Sequence, residues 1–305
     1  MRVVSLGSGS SGNALLIEAG PGGRTKLLID AGFSTRVLQE RLQHIGISLR
    51  QLSGILVTHE HSDHILGLPT LTRRYEKSVI ADPRTLAAIE EIFVNGITRS
   101  ESGRFLPLLE EGEESISEKL LASFRSLSQV FPLGTRQIIG DVEVTSFPVS
   151  HDAAAPAGYL LHAGGCRVCV VIDTGEITST MLEAISRADL LILESNHDRQ
   201  RLLRGPYPYS LKMRILSPTG HLSNDQAAEA VLRSWRGDAV RWLWLSHLSR
   251  TNNTPKLALE SMRSRIQEAG ANLAQLHISV LPPDFGCMWD STQLWHNTSL
   301  WEMSR

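Results

Sequence analysis

An α/β fold is predicted by three features of the sequence. Short runs rich in valine, isoleucine and leucine alternate with amphipathic stretches of helical period, the pattern left by strands and helices laid down in turn. Several of those runs end in a histidine, an aspartate or a glutamate, so polar side chains gather at strand carboxyl ends, where open α/β sheets place their sites. One run, Ile55-Leu-Val-Thr-His-Glu-His-Ser-Asp-His64, delivers three histidines and an aspartate within six residues.

Val3 to Leu6 reads as a strand that runs into Gly7-Ser-Gly-Ser-Ser-Gly-Asn13, and Ala14 to Glu18 as the next strand. The Gly/Ser loop between them is either a flexible hairpin or a backbone nest whose amides, with Ser8 and Asn13, face an anion or a metal site. Lys26 to Ile29 is a strand ending at Asp30, and Ser34 caps an amphipathic helix over 35–44 with His44 on its surface. Ile55 to Thr58 leads into the histidine stretch, a helix follows to about Tyr75, and Ser78 to Ala81 is a strand. Asp82-Pro83 starts another helix, with proline in its first turn.

From about Asn95 to Gly134 the alternation breaks into turn residues, an acidic run at 110–114 and a helical Ser115 to Leu127. This span reads as an insertion with a solvated acidic face. Gln137 to Ile139 and Val142 to Phe147 form a hairpin around Gly140-Asp141 that ends at His151. Strands over 167–172, 190–193 and 240–245 end at Asp173, Glu194 and Ser246-His247. Helices start near Asp225 and at Pro255. His162, His277 and His296 have no strand-end placement and read as ordinary core or surface residues.

The spacing within residues 59–64 is metal-ligand chemistry. His59 and His61, two apart on extended backbone, project to one side and can grip one cation. Asp63 and His64 follow where the chain turns into a helix, so they point at a neighbouring position, which suggests a second ion. Imidazole nitrogen with carboxylate oxygen suits zinc, manganese or iron and suits calcium poorly. The competing reading is a polar cluster that merely caps the helix, with Asp63 as N-cap.

Composition narrows the class. The 305 residues are 42% apolar and 20% charged, ordinary for a soluble globular protein of one large or two small domains. A net charge of -2 gives no global pull toward nucleic acid, so an anionic substrate needs a local patch. No apolar run approaches the ~20 residues of a membrane span and no basic, apolar leader opens the chain, which argues for the cytoplasm and against a membrane partner. Three cysteines fit a reducing compartment. Cys166 and Cys169, three apart on a strand, face opposite sides of a sheet and read as packing residues rather than a redox pair.

The set His59-x-His61-x-Asp63-His64, His151, Asp173-Thr-Gly and His247 resembles the metallo-β-lactamase superfamily. The resemblance implies an αββα sandwich of two similar halves, with His59, His61 and His151 on one metal, Asp63, His64 and His247 on the other, and Asp173 bridging. Leu6-Gly-Ser-Gly-Ser-Ser-Gly-Asn13, Glu194-Ser-Asn-His-Asp198, Tyr207-Pro, Leu211-Lys, Gly220-His-Leu-Ser-Asn224 and His247-Leu-Ser-Arg-Thr-Asn-Asn253 are similar to the YycJ/WalJ branch, whose members are described as nucleases acting on DNA. A glutamate followed by a Gly-His segment is also similar to the tRNA-processing enzymes of the superfamily. The likeness covers residues 1–285 as one hydrolase domain and leaves 95–134 as an insertion and 286–305 as a tail.

Two divalent ions, zinc or manganese, lower the pKa of a shared water, so that a metal-bridged hydroxide attacks an electrophile the ions also hold. Phosphodiesters suit such a site, and esters, thioesters and lactams nearly as well. Residues 199–224 favour phosphate, with Arg199, Arg201, Arg204, Lys212 and Arg214, no acidic residue, and Tyr207 and Tyr209 among them to stack bases; the other reading is a solvated basic loop. His221 supplies a proton to a leaving alkoxide with Glu194 on its other ring nitrogen, or simply packs beside the helix cap. Ser249, Asn252 and Asn253 position a phosphate or shape the turn before Pro255. The sequence thus predicts a metal-dependent phosphodiesterase, an exonuclease on DNA or RNA, against a thioesterase- or lactonase-type hydrolase and a metal-binding regulatory protein without turnover.

Overall fold

The computed structural model describes residues 1–95, 97–99, 105–107, 114–234 and 239–296. The N-terminal half runs β1 (Arg2–Gly7), β2 (Ala14–Ala19), β3 (Thr25–Ile29), α1 (Thr35–Gln43), β4 (Gly54–Leu56), α2 (Ser62–Ile65), α3 (Leu68–Tyr75), β5 (Val79–Ala81), α4 (Pro83–Asn95), a hairpin of β6 (Ile97–Arg99) and β7 (Phe105–Pro107), α5 (Glu114–Leu127) and β8 (Ser128–Val130). The second half runs β9 (Arg136–Ile139), β10 (Val142–Pro148), β11 (Ala157–Ala163), β12 (Cys166–Val171), α6 (Ser179–Ser186), β13 (Leu190–Glu194), α7 (Arg199–Arg204), α8 (Tyr209–Ile215), α9 (Asn224–Ser234), β14 (Arg241–Ser246), α10 (Pro255–Glu268) and β15 (Leu276–Val280). A last strand, β16 (Gly286–Asp290), returns to pair antiparallel with β1.

Two seven-stranded sheets result, ordered β16-β1-β2-β3-β4-β5-β8 and β15-β14-β13-β12-β11-β10-β9. Strand periodicity sorts their side chains into layers. In β2, Leu15 and Ile17 enter the core between the sheets while Leu16 faces the helices, and in β12 Val168 and Val170 enter that core while Val171 faces out. Helices α1, α3, α4 and α5 cover the first sheet through Leu38, Leu71, Phe93 and Phe124, and α6, α9 and α10 cover the second through Met181, Val231 and Met262. The architecture is the four-layer αββα sandwich. Cys166 joins the inter-sheet core and Cys169 the outer one, on opposite faces as the period of two requires, and burial pushes both thiols up. No helix among the described residues is long and apolar enough to cross a membrane.

The parallel parts of the sheets position the site. β3, β4 and β5 run parallel in one sheet and β12, β13 and β14 in the other, so their carboxyl ends share one edge. Three boundaries differ from the sequence reading. The single helix expected up to Tyr75 is two, because the Gly67 amide donates to Ala31 O at 2.7 Å and a Cβ there would meet Phe33 O at 2.7 Å. The second part of the span 95–134 is built into the fold: α5 buries Leu120 and Phe124, and β8 pairs parallel with β5. Of the acidic run, residues 110–113 lie outside the described residues. Residues 286–290, expected in a tail, form a sheet strand with Trp289 in the core, because the alternation in Gly286–Asp290 is too short to stand out in sequence.

Candidate metal centre

Asp30, Asp173 and His247 each follow a strand end and adopt positive φ, at 60°, 57° and 52°. Left-handed backbone at non-glycine residues costs on the order of 1–3 kcal/mol and persists where the surroundings hold it. Here each sharp turn folds a side chain back over the shared edge of the sheets, and all three side chains are buried against site residues. His59, His61, Asp63 and His64 arrive on the segment that leaves β4. Gly32 lets that segment close, since a Cβ there would lie 1.6 Å from Asp63 O.

The first pocket is all nitrogen. His59 Nε2 lies 3.1 Å from His61 Nδ1, which lies 3.3 Å from His151 Nε2. Ligand atoms around a tetrahedral ion with ~2.0 Å bonds stand ~3.3 Å apart, so these nitrogens are spaced as ligand corners. His151 Nδ1 donates to Gly220 O at 3.0 Å, which turns the lone pair of Nε2 inward. Burial, with the neighbouring His64 and His61, pushes His59 well below the usual histidine range, and burial also lowers His151. Neutral imidazoles are the form that binds a metal.

The second pocket mixes charge. Ligand atoms of Asp63, His64, Asp173 and His247 all lie within 4.8 Å of one another. His64 Nε2 is 2.8 Å from Asp173 Oδ2 and 3.5 Å from Asp63 Oδ2, and His247 Nε2 is 3.5 Å from Asp63 Oδ2. Asp173 Oδ2 is also 3.5 Å from His59 Nε2, so this carboxylate stands between the pockets. Burial opposes ionisation of Asp63 and Asp173, but His64 and His247 respectively outweigh it and hold both well below the usual carboxylate range. Burial likewise opposes protonation of His64 and His247, and Asp30, Asp63 and Asp173 raise them well above 6.5; a cation taken up between these groups would displace those protons.

The donor set fits divalent ions on a direct test. Asp63 Oδ1, both Asp173 oxygens and His247 Nε2 are buried without a hydrogen-bond partner. The short contacts of Asp173 are close in distance but poorly aligned as hydrogen bonds, and ionised carboxylates are not stable in a protein interior without a partner. A cation between them supplies it. The capping alternative fails, because α2 is preceded by His61, which makes no side-chain cap, and Asp63 lies inside the first turn.

Supporting residues fix the ligands. Asp30 was not singled out by sequence; its Oδ2 accepts from His64 Nδ1 at 2.8 Å and its Oδ1 from the Thr58 amide at 2.8 Å. The signal was present, since Asp30 ends an apolar strand as Asp173 does. Glu194 Oε1 lies 2.7 Å from His221 Nδ1, the expected pair, and 3.0 Å from His247 Nδ1. Its Oε2 accepts the amides of Thr174 and Leu222 at 2.9 and 3.1 Å. Burial would raise Glu194, but His221 and His247 lower it.

A cleft of about 240 Å³ opens beside the pockets, lined by Ser10, Asp152, Asn196, Tyr207, Leu211, Arg214, His221 and Ser249 among others. Of the residues expected to hold substrate, Tyr207 and Ser249 line it. Ser8 and Asn13 are both buried and face the metal site: Ser8 Oγ accepts the His247 amide at 2.8 Å, and Asn13 Nδ2 sits 3.2 Å from His64 Nε2. They brace ligands, and Ser10 from the same loop takes the place at the cleft. Asn253 matches the turn-shaping reading, since its buried amide is spent on Ser195 O, Asn196 O and Asn224, and Asn252 is fully buried. Lys212 Nζ donates to Leu203 O and Arg201 Nε to Thr251 O, both at 2.9 Å, with Arg201 and Arg204 exposed on α7. Sequence reading missed Asp152, whose Oδ2 accepts from Arg214 Nε at 2.6 Å at the cleft wall.

This fold and these pockets define a metal-dependent hydrolase of the metallo-β-lactamase type. Residues 25–240 match the family described as the beta-lactamase superfamily domain, and the chain belongs to that family. Within it, the chain is 36% identical over 270 residues to the exodeoxyribonuclease YycJ of Bacillus anthracis, covering 88% of this chain and 90% of that protein. It is 35% identical over 264 residues to the exodeoxyribonuclease WalJ of Streptococcus pneumoniae serotype 2, covering 87% of each. Among solved structures, the metallo-beta-lactamase fold protein YhfI from Bacillus subtilis shares the fold at a TM-score of 0.63, with 15% identity over 95% of this chain and 99% of that one.

Proposed function

We propose that the protein is a dinuclear exonuclease that hydrolyses phosphodiester bonds at DNA ends, working in the cytoplasm as a single hydrolase domain over residues 1–290. His59, His61 and His151 would hold one ion and Asp63, His64 and His247 the other, with Asp173 facing both. Two such ions supply an acidified water and neutralise phosphate charge. Zinc or manganese suits the donors. Asp63, its buried carboxylate held ionised, would ligate the second ion and orient the attacking water beside it. His221 gives its proton to the leaving sugar oxygen, and Glu194, on Nδ1, fixes the ring so that Nε2 meets the substrate.

The observation that carries phosphodiester chemistry is this His221–Glu194 pair at the lining of the cleft, because a basic alkoxide needs a proton donor. The identity to two exodeoxyribonucleases over most of the chain supports DNA as the substrate. End-labelled DNA and RNA, incubated with the protein and manganese or zinc, should lose nucleotides from an end, with DNA degraded faster. Turnover of a thioester or lactone with both nucleic acids left intact would overturn the proposal. Arg201→Glu with Arg204→Glu should weaken DNA binding and flatten its dependence on salt, since each lost phosphate contact releases fewer counterions.

A further inference from the structure

Helix α8 has two faces with different chemistry. Leu211, Arg214 and Ile215 line the cleft. Tyr209 and Met213, four apart and so on one stripe, are 78% and 46% exposed on the opposite side of the helix. Leu203, at 45% exposure, lies close by, because Lys212 of α8 donates to its carbonyl. Tyr209, Met213 and Leu203 thus put three exposed apolar side chains on one basic segment. Arg199, Arg201 and Arg204 lie on the preceding helix α7, where Arg201 Nε donates to Thr251 O at 2.9 Å, and no acidic residue occurs in 199–224.

The geometry points to α8 as a wedge that parts the two strands of a DNA end, a reading that rests on the exonuclease proposal above. The cleft, of about 240 Å³, is lined by Leu211, Arg214, Ile215 and His221, and in this arrangement it receives the end of one strand. The strand to be cut passes along the Leu211–Ile215 face toward His221. The chain couples the two directly: the His221 amide donates to Ile215 O at 2.9 Å, and a Cβ on Gly220 would lie 2.3 Å from both Arg214 O and Ile215 O. The complementary strand stays outside, its terminal base on Tyr209 and Met213 and its phosphates on the α7 arginines. Apolar side chains inserted between bases unstack them, and an aromatic ring stacks on any base regardless of sequence.

The test uses the full chain with manganese. A blunt duplex whose end linkages resist hydrolysis carries 2-aminopurine at the terminal pair, so unstacking raises its fluorescence. Wild type should raise the signal, and Tyr209→Ala with Met213→Ser should abolish the rise. On cleavable DNA the same variant should lower the ratio of blunt-end to frayed-end cleavage about tenfold. An unchanged ratio, or a fluorescence rise that survives the substitutions, overturns the wedge while leaving the exonuclease standing. Wild type that cleaves no DNA at all overturns both. A wild-type dimer by light scattering that the variant converts to monomer assigns the patch to a second copy of this chain and also overturns the wedge.

Discussion

The two pockets flank one carboxylate, Asp173, and differ in almost everything else. The first is built from three imidazoles, of which burial lowers His59 and His151 so that their lone pairs are open. The second has two buried aspartates and two histidines whose charges hold one another in place, and two further carboxylates, Asp30 and Glu194, stand behind its histidines. The first pocket is thus set by packing, with backbone Gly220 O behind His151. The second is set by an electrostatic network in a dry interior, where removal of any member leaves a charge uncompensated. A borderline ion such as zinc suits the nitrogen pocket, and the oxygen-bearing pocket tolerates a harder ion such as manganese.

The largest expected effect separates shared from private ligands. Asp173→Ala removes the carboxylate that faces both pockets and should abolish activity and lower the metal content of both. Asp63→Ala removes only a second-pocket ligand, so activity should fall by several orders of magnitude while about one equivalent of metal stays bound. Elemental analysis of the two purified variants distinguishes them, and equal metal loss in both would break the division into two pockets.

A smaller effect lies outside the first pocket altogether. His221→Ala should slow DNA cleavage by about 10²- to 10⁴-fold, because a sugar alkoxide needs a proton in the transition state, and should leave hydrolysis of a nitrophenyl phosphodiester nearly intact. Glu194→Gln is the informative companion. Its Oε1 serves His221 and His247 together, so this variant should show the leaving-group effect and also a weakened second ion. Loss of the first without the second would mean that His247 is held by Asp173 alone.

The sequence revealed the first pocket more fully than the second. His59 and His61 announce themselves by spacing on extended backbone, and the sheet layers follow from period-two alternation, as Cys166 and Cys169 show by facing opposite cores. Strand-end Asp173, Glu194 and His247 stood out for the same local reason. The support of the second pocket was hidden because it depends on closeness across the fold: Asp30 reaches His64 over 34 positions, and Ser8 reaches the His247 amide over 239. A Gly/Ser loop cannot say which of its serines turns inward. The sequence left two readings open at Asn13 and at Asn253 because an amide looks the same in sequence whether it meets a substrate or braces the site.

The smallest effect tests that hidden support most directly. Asp30 touches no ion in the proposed arrangement; its Oδ2 holds Nδ1–H of His64, which turns Nε2 toward Asp63 and Asp173. A carboxylate behind a ligating imidazole fixes the tautomer and increases its basicity, and loss of such a partner weakens metal binding about 10- to 100-fold. Asp30→Asn retains size and one acceptor for the Thr58 amide at 2.8 Å, so the fold should persist. Asp30 meets the first pocket at one remove, through Thr58 Oγ1, which lies 2.9 Å from Asp30 Oδ2 and 3.0 Å from His59 Nδ1; Thr58 stays in the variant, so the first ion should bind as before. Titration of the purified variant with zinc should then show one tight site unchanged and one weakened by that factor, with activity restored at high metal. If both sites weaken together, the pockets act as one unit and the contrast between a packed site and an electrostatic one is wrong.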